Sequence, residues 1–205
     1  MKLSHSADNS CSLDDYLVTV ANQQSFWHID EPLWADLARR VLSWEMAPKA
    51  SEMCLTFVSK QKIAELNLTH MGRNEPTDVL AFPIDDSWLS GNQSAGPAPH
   101  PPRPDPCLLG DVVISPEVAY HNAIKYRHSP NSLSRPVRLS QPDFDDTSAE
   151  IALLVVHGTL HVCGYDHDTT EAHDLMFELQ QTYLANYFSG MRQLPLATQG
   201  SKRKP

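Results

Sequence analysis

Three histidines, His157, His161 and His167, stand within one eleven-residue stretch. Imidazole is a ligand that suits Zn²⁺, and three imidazoles meeting at one point leave a fourth position open for water. The first two lie four residues apart, so on a helix they share a face, one turn from each other. Gly164 follows. Glycine enters the left-handed conformation without a Cβ clash, which makes it a natural helix stop. The spacing therefore predicts a helix carrying His157 and His161, a stop at Gly164, and a turn that returns His167 to the same point, where one Zn²⁺ would sit. Asp166, beside the third histidine, is a candidate to accept an imidazole N–H and orient a ring.

Such a site needs elements to deliver it. The apolar run 151–156 reads as a buried helix leading into the histidine pair, starting near Ser148. Upstream, residues 16–21 alternate and predict a strand. Asp30-Glu31-Pro32 opens a helix, with Asp30 as cap and proline in the first turn. Leu33, Trp34, Leu37, Ala38, Val41, Leu42 and Trp44 give it an apolar face to about Met46. Residues 53–58 are the strongest strand signal, and a helix over 59–68 follows with Ile63, Leu66 and Ala64 turned inward. A loop over 67–78 leads to a strand at 79–84, where Pro83 points to an edge position. Residues 108–115 predict another strand. Ser115-Pro116 then starts a helix to about Arg127, with the serine as cap. A last helix opens around Asp168 and turns Leu175, Met176, Leu179, Tyr183, Leu184 and Tyr187 inward.

The 205 residues suit one domain with length to spare. Sixteen prolines, six of them between 86 and 106, predict irregular stretches. The organisation expected is a disordered start over 1–13, one domain over 14–189 with flexible insertions near 86–106 and 128–147, and a disordered basic tail over 190–205. A net charge of -9 argues against a protein that coats nucleic acid indiscriminately. It leaves room for a local basic cleft. Cys11, Cys54, Cys107 and Cys163 form no C-x-x-C pair, and Cys54 and Cys163 read as buried reduced thiols. No apolar run reaches the length of a membrane span and the N-terminus lacks a signal core, so a cytoplasmic protein without membrane partners is expected.

The histidine spacing is that of the zinc-protease pattern H-E-x-x-H-x-x-G-x-x-H, but Gly158 stands where that pattern has its general base. This weakens a peptidase reading and leaves the metal reading intact. The stretch 157–167 instead resembles the signature H-G-x-L-H-x-x-G-Y-D-H of the bacterial YbeY family of rRNA-maturation endoribonucleases. Residues 76–83, Pro-Thr-Asp-Val-Leu-Ala-Phe-Pro, resemble that family's P-T-D-V-L-S-F-P segment, and residues 109–115 its G-D-I-x-I-S strand. The resemblance covers roughly residues 50–188. It implies an α+β fold, a small mixed β-sheet flanked by helices, zincin-like, with the metal site on a helix plus the following turn. It implies a zinc-dependent, single-strand-specific endoribonuclease acting in 16S rRNA 3′-end maturation and ribosome quality control. Its partners would be ribosomal RNA and the small ribosomal subunit, with no DNA.

One position departs from the family. An arginine usual after L-N-x-x-[YF] is here Met71, and Arg73 lies two residues on. Either Arg73 reaches the same space, where a guanidinium suits a phosphodiester's charge, or this chain lacks that group. Asp78 and Asp111 are expected in supporting or capping roles, and Tyr165 to pack. His70, His121, His128 and His173 read as loop or surface residues. Were RNA bound, cations from Arg73, Lys60, Lys62 or Lys125 should gather at the metal cleft. Two other functions share the motif: a metallopeptidase-like hydrolase, and a non-catalytic, zinc-stabilised ribosome assembly factor.

Overall fold

Period-two alternation makes strands wherever one face is covered, and four such segments pair into one sheet. The computed structural model of the chain describes residues 12–84, 106–127 and 145–191. The expected N-terminal disorder, both insertions and the basic tail fall almost wholly outside the described residues, as do Cys11 and His128. Strands β1 (Tyr16–Asn22), β2 (Ser51–Phe57), β3 (Val79–Pro83) and β4 (Cys107–Ile114) lie in the order β1-β2-β4-β3. β1, β2 and β4 are parallel, and β3 runs antiparallel to β4 at the edge. Pro83, which has no N–H to give a neighbour, closes that edge strand as its chemistry requires.

Among the described residues five α-helices accompany the sheet: α1 (Glu31–Trp44), α2 (Lys60–Met71), α3 (Pro116–Tyr126), α4 (Asp146–Val162) and α5 (Thr170–Met191). The protein is thus α+β with a small mixed sheet. Along β2, Ser51, Met53, Leu55 and Phe57 are buried while Glu52, Cys54 and Thr56 are half-buried, so one face of the sheet carries the main core. That core joins Leu37 and Leu42 of α1, Val112 and Ile114 of β4, Val155 and Leu160 of α4, and Met176, Leu184 and Phe188 of α5. A smaller cluster, Val58, Ile63, Leu80 and Val113, anchors α2.

α4 is the central helix. Thirteen of its seventeen residues are buried, so it is covered on nearly every side, as a helix apolar all round must be. It packs on α1, α3, α5, β3 and β4. The approach to β4 is close: a Cβ on Gly158 would stand 2.4 Å from Val112 Cγ1. Only glycine lets the helix lie there. A glutamate at this position would have to enter the sheet, so the missing protease base is a packing consequence of this fold.

Several local expectations shift. Ser12 caps a short 3-10 turn (Leu13–Asp15), so order begins before residue 14. α2 continues through Thr69, His70 and Met71 and stops at Gly72, whose φ of +69° is left-handed; the loop starts later than composition suggests. α4 starts at Asp146, capped by Asp145, two residues before the expected Ser148. Ser115 occupies the cap position of α3 but its side chain makes no capping bond. α5 starts at Thr170 with Thr169 as its cap, not Asp168: Thr169 Oγ1 accepts the Ala172 N–H at 3.2 Å. Leu175 is 50 % exposed, because the inward stripe of α5 runs through Met176, Gln180 and Leu184 and leaves 175 outside. Cys163 is buried as expected, whereas Cys54 is only half-buried.

Candidate metal centre and cleft

The histidines meet because a helix ends where the residues make it end. Past Val162 the backbone turns at Gly164, φ +85°. The Gly164 N–H reaches the His161 carbonyl at 2.8 Å and the Tyr165 N–H reaches the Leu160 carbonyl at 3.0 Å. This paired closure is the Schellman motif. It reverses the chain and sets His167 beside the two helical histidines. His157 Nε2 and His161 Nε2 are 3.0 Å apart. One ring nitrogen from each of the three lies within 4.8 Å of the others. The ring centroids stand 4.5, 5.8 and 5.1 Å apart.

Each helical imidazole is held from behind. His157 Nδ1 is 2.7 Å from the side-chain oxygen of Gln180 on α5, and His161 Nδ1 is 2.9 Å from the Tyr165 carbonyl. Both acceptors lack a proton, so each ring donates from Nδ1 and keeps an unprotonated Nε2 facing its neighbours. Burial pushes the His157 pKa down to about 4, with the neighbouring His161 adding to the shift. Burial also lowers His161. Both rings are therefore neutral at pH 7, the form in which imidazole binds a metal. In this arrangement Nε2 of the two helical rings fits the donor set of a single transition-metal ion; two nitrogens about 2.0–2.1 Å from a tetrahedral zinc would stand about 3.3 Å apart.

Asp166 accepts the backbone N–H of His167 at 2.6 Å, so its carboxylate braces the turn at the third histidine. It also lies, with His167 and Asp168, in an exposed group of possible ligands. Tyr165 packs half-buried, and its hydroxyl donates to Glu45 at the end of α1 at 2.8 Å. The same carboxylate accepts from Tyr183 at 2.5 Å. Burial and then Glu45 push both hydroxyl pKa values well up, so they remain donors.

The three histidines open onto a cleft of about 750 Å³. Its other wall is Asn67, Met71, Arg73 and Thr77 with residues 78–81 and Pro83 along the edge strand. Arg73 therefore does reach the cleft, as does Met71. Of the four cations expected to gather there, Lys60, Lys62 and Lys125 do not line it. Lys62 pairs with Glu65 on α2 at 3.3 Å, and Lys125 sits 4.9 Å from the centre of the Tyr126 ring. Asp78 lines the cleft with its carboxylate fixed by the Val79 N–H at 2.9 Å and the Asn122 amide at 3.0 Å. Asp111 is exposed on β4 and is not part of the lining. His70, His121 and His173 are exposed, on helices and not on loops; the His70 ring stands 4.9 Å from that of Phe82.

Sequence reasoning passed over Gln180, Glu45, Asn67 and Asn122. Gln180 left one usable signal: it is a polar residue on the stripe 176–180–184, only 4 % exposed, and a buried amide needs a partner. Asn67 likewise is buried at 4 % on the half-buried face of α2, donating to the Glu75 carbonyl at 2.7 Å.

A mixed sheet, a buried central helix and a histidine triad facing an open cleft define an α+β protein with a candidate single-metal site. The family described as endoribonuclease YbeY matches residues 19–188. The YbeY endoribonuclease of Rhodococcus erythropolis is 32 % identical over 177 residues, 86 % of this chain and 85 % of that protein. That of Salinispora tropica is 35 % identical over 175 residues, 84 % of this chain and 96 % of its own. A Thermotoga maritima protein solved in solution shares the fold, with a TM-score of 0.52 at 20 % identity, over 91 % of this chain and all of that one. This chain belongs to the YbeY family. No helix among the described residues is long and apolar enough to cross a membrane.

Proposed function

We propose that this protein is a zinc-dependent endoribonuclease that cuts single-stranded RNA, acting in the cytoplasm in 16S rRNA 3′-end maturation and ribosome quality control on the small ribosomal subunit. Family membership supports the nuclease class. The observation that carries the metal reading is the convergence of His157, His161 and His167, with the ring tautomers of His157 and His161 set from behind. Those three residues would hold one Zn²⁺. When bound, zinc supplies Lewis acidity toward a phosphoryl oxygen and brings the pKa of water to about 7.

The chain's own groups do the rest. Gln180 and the Tyr165 carbonyl keep the Nδ1 protons of His157 and His161, so neither ring shuttles a proton from that atom. Asp166 braces the backbone at His167. Arg73, exposed at the cleft's far wall, is the group to pair with a phosphate and orient it. Asp78 is held by the Thr77 hydroxyl, the Val79 N–H and the Asn122 amide and places a negative charge in the cleft lining, which disfavours any phosphate seated against it. Position 158 offers no base, since its side-chain space is filled by Val112.

The test is to strip metal from the protein and restore Zn²⁺ with three substrates: a single-stranded RNA, the same sequence as a duplex, and an unstructured peptide. Cleavage of the single strand alone, dependent on zinc, is expected. Cleavage of the peptide alone would establish the metallopeptidase instead. One observation favours the assembly-factor reading: beside Arg73 the cleft lining holds two carboxylates and, among the described residues, no lysine. A His161→Ala protein that folds and still supports rRNA maturation in cells would establish that reading.

A further inference from the structure

We infer that Glu45 and Tyr165 form a positioning clamp, linking the end of α1 to the turn after α4, that sets His161 and His167 for metal binding. The inference rests on the metal reading above and adds to it a residue from the far end of the chain. Tyr165 is tied at three atoms. Its N–H closes the helix on Leu160, its carbonyl receives the His161 Nδ1 proton, and its hydroxyl reaches Glu45, 120 residues earlier.

Beyond the Gly164 N–H on the His161 carbonyl and the Asp166 carboxylate on the His167 N–H, the turn is anchored to the body of the protein through Tyr165. Gly164, Asp166, His167 and Asp168 are all exposed, and Tyr165 is the one residue between them that is half-buried. Whatever fixes the Tyr165 side chain therefore fixes the carbonyl behind His161 and the position from which His167 departs two residues later. Glu45 is itself fixed. It follows the core residues Val41 and Leu42, its N–H returns to the Val41 carbonyl at 2.9 Å, and its second oxygen is occupied by Tyr183. Trp44, the residue before it, stacks on Tyr183 with ring centres 4.9 Å apart. One carboxylate thus ties α1 and α5 to the turn after α4, and a carboxylate held by two hydroxyl donors cannot rotate to release one without losing the other.

The experiment titrates Co²⁺ and Zn²⁺ into metal-free wild type and into Tyr165→Phe, Glu45→Ala, the double variant and Tyr187→Phe. It reads affinity, the visible absorption of bound cobalt and the melting temperature. Tyr187→Phe is the control: its hydroxyl also joins α5 to α1, through the Leu33 carbonyl at 3.3 Å, but touches nothing in the turn. Tyr165→Phe and Glu45→Ala are expected to bind each metal about 10-fold more weakly with an altered cobalt spectrum, as loss of outer contacts to ligands does. The double variant should bind no worse than Glu45→Ala, because the two act through one bond. Tyr187→Phe should melt lower with unchanged affinity and spectrum. Wild-type affinity and spectrum in Tyr165→Phe would overturn the clamp, and that variant decides the matter should Glu45→Ala fail to fold. Wild type that binds neither metal would overturn the metal reading and the clamp with it.

Discussion

The two walls of the cleft are held with very different firmness. On the histidine wall, α4 is buried on nearly every side, each helical imidazole has its own acceptor, and the following turn is closed by two backbone bonds. On the facing wall, residues 71–76 are all exposed. Three bonds hold that segment: the Gly72 N–H to the Leu68 carbonyl at 3.2 Å, the Arg73 N–H to the Asn67 carbonyl at 3.3 Å, and the Asn67 amide to the Glu75 carbonyl at 2.7 Å. Metal ligands must stand within fractions of an ångström of one another, so their support is built into the core. A wall that receives a polymer has to yield, and it is drawn from the lightly tied part of the fold. On the proposed function, binding an ion and admitting a substrate divide between a firmly held half and an exposed half of one cleft.

Breaking the rigid wall should have the largest effects. His161→Ala removes a ligand, and Zn²⁺ binding is expected to weaken by at least about 100-fold with loss of RNA cleavage, checked by chelator competition and a cleavage assay. Gly158→Glu, which would restore the protease pattern, should instead unfold the protein. It drives a charged side chain into Val112 and is expected to cost more than about 3 kcal/mol in denaturant titration. A stable Gly158→Glu protein with peptidase activity would refute the packing account of the missing base.

Smaller effects should sharpen the contrast. Gln180→Leu keeps the bulk but leaves the His157 Nδ1 proton without an acceptor, and metal affinity should fall about 10-fold. Arg73→Ala, on the pliant wall, should do the opposite: metal affinity and melting temperature unchanged, kcat/KM on single-stranded RNA down about 10-fold or more. If Arg73→Ala lowered metal affinity as Gln180→Leu does, the division of labour would be wrong.

A further effect is a pH dependence confined to the metal-free protein. The folded-state pKa of His157 is lowered to about 4 from an unfolded value near 6.5. Between those values the unfolded chain binds the proton that the folded one refuses. Stability is therefore fully present above about pH 6.5 and declines as pH falls toward 4. Urea titrations with a chelator should show this slope, and His157→Gln should reduce it.

Much of the fold was legible in the residues, and for local reasons. The strand periodicities, the cap at Asp30 and the edge strand ending in Pro83 depend on neighbours within a few positions, and each is present. The failures were places where a distant packing partner overrode composition. Ser115 sits at a cap position without capping, α2 ran on through His70, and Leu175 fell outside a stripe whose phase was set by contact with the core. The lysines proposed for the cleft carried the right charge. Which side of α2 or α3 faces the histidines cannot be read from charge.

Sequence by itself determined that three imidazoles sit at helix-then-turn spacing, because that geometry spans eleven residues and needs only a helix and a glycine. Tertiary structure alone decided what stands behind them. Gln180 lies 23 residues from His157, and Glu45 lies 120 from Tyr165. Such pairs exist only after the helices have packed. Short-range spacing chooses the ligand atoms, while the long-range core decides how firmly they are aimed.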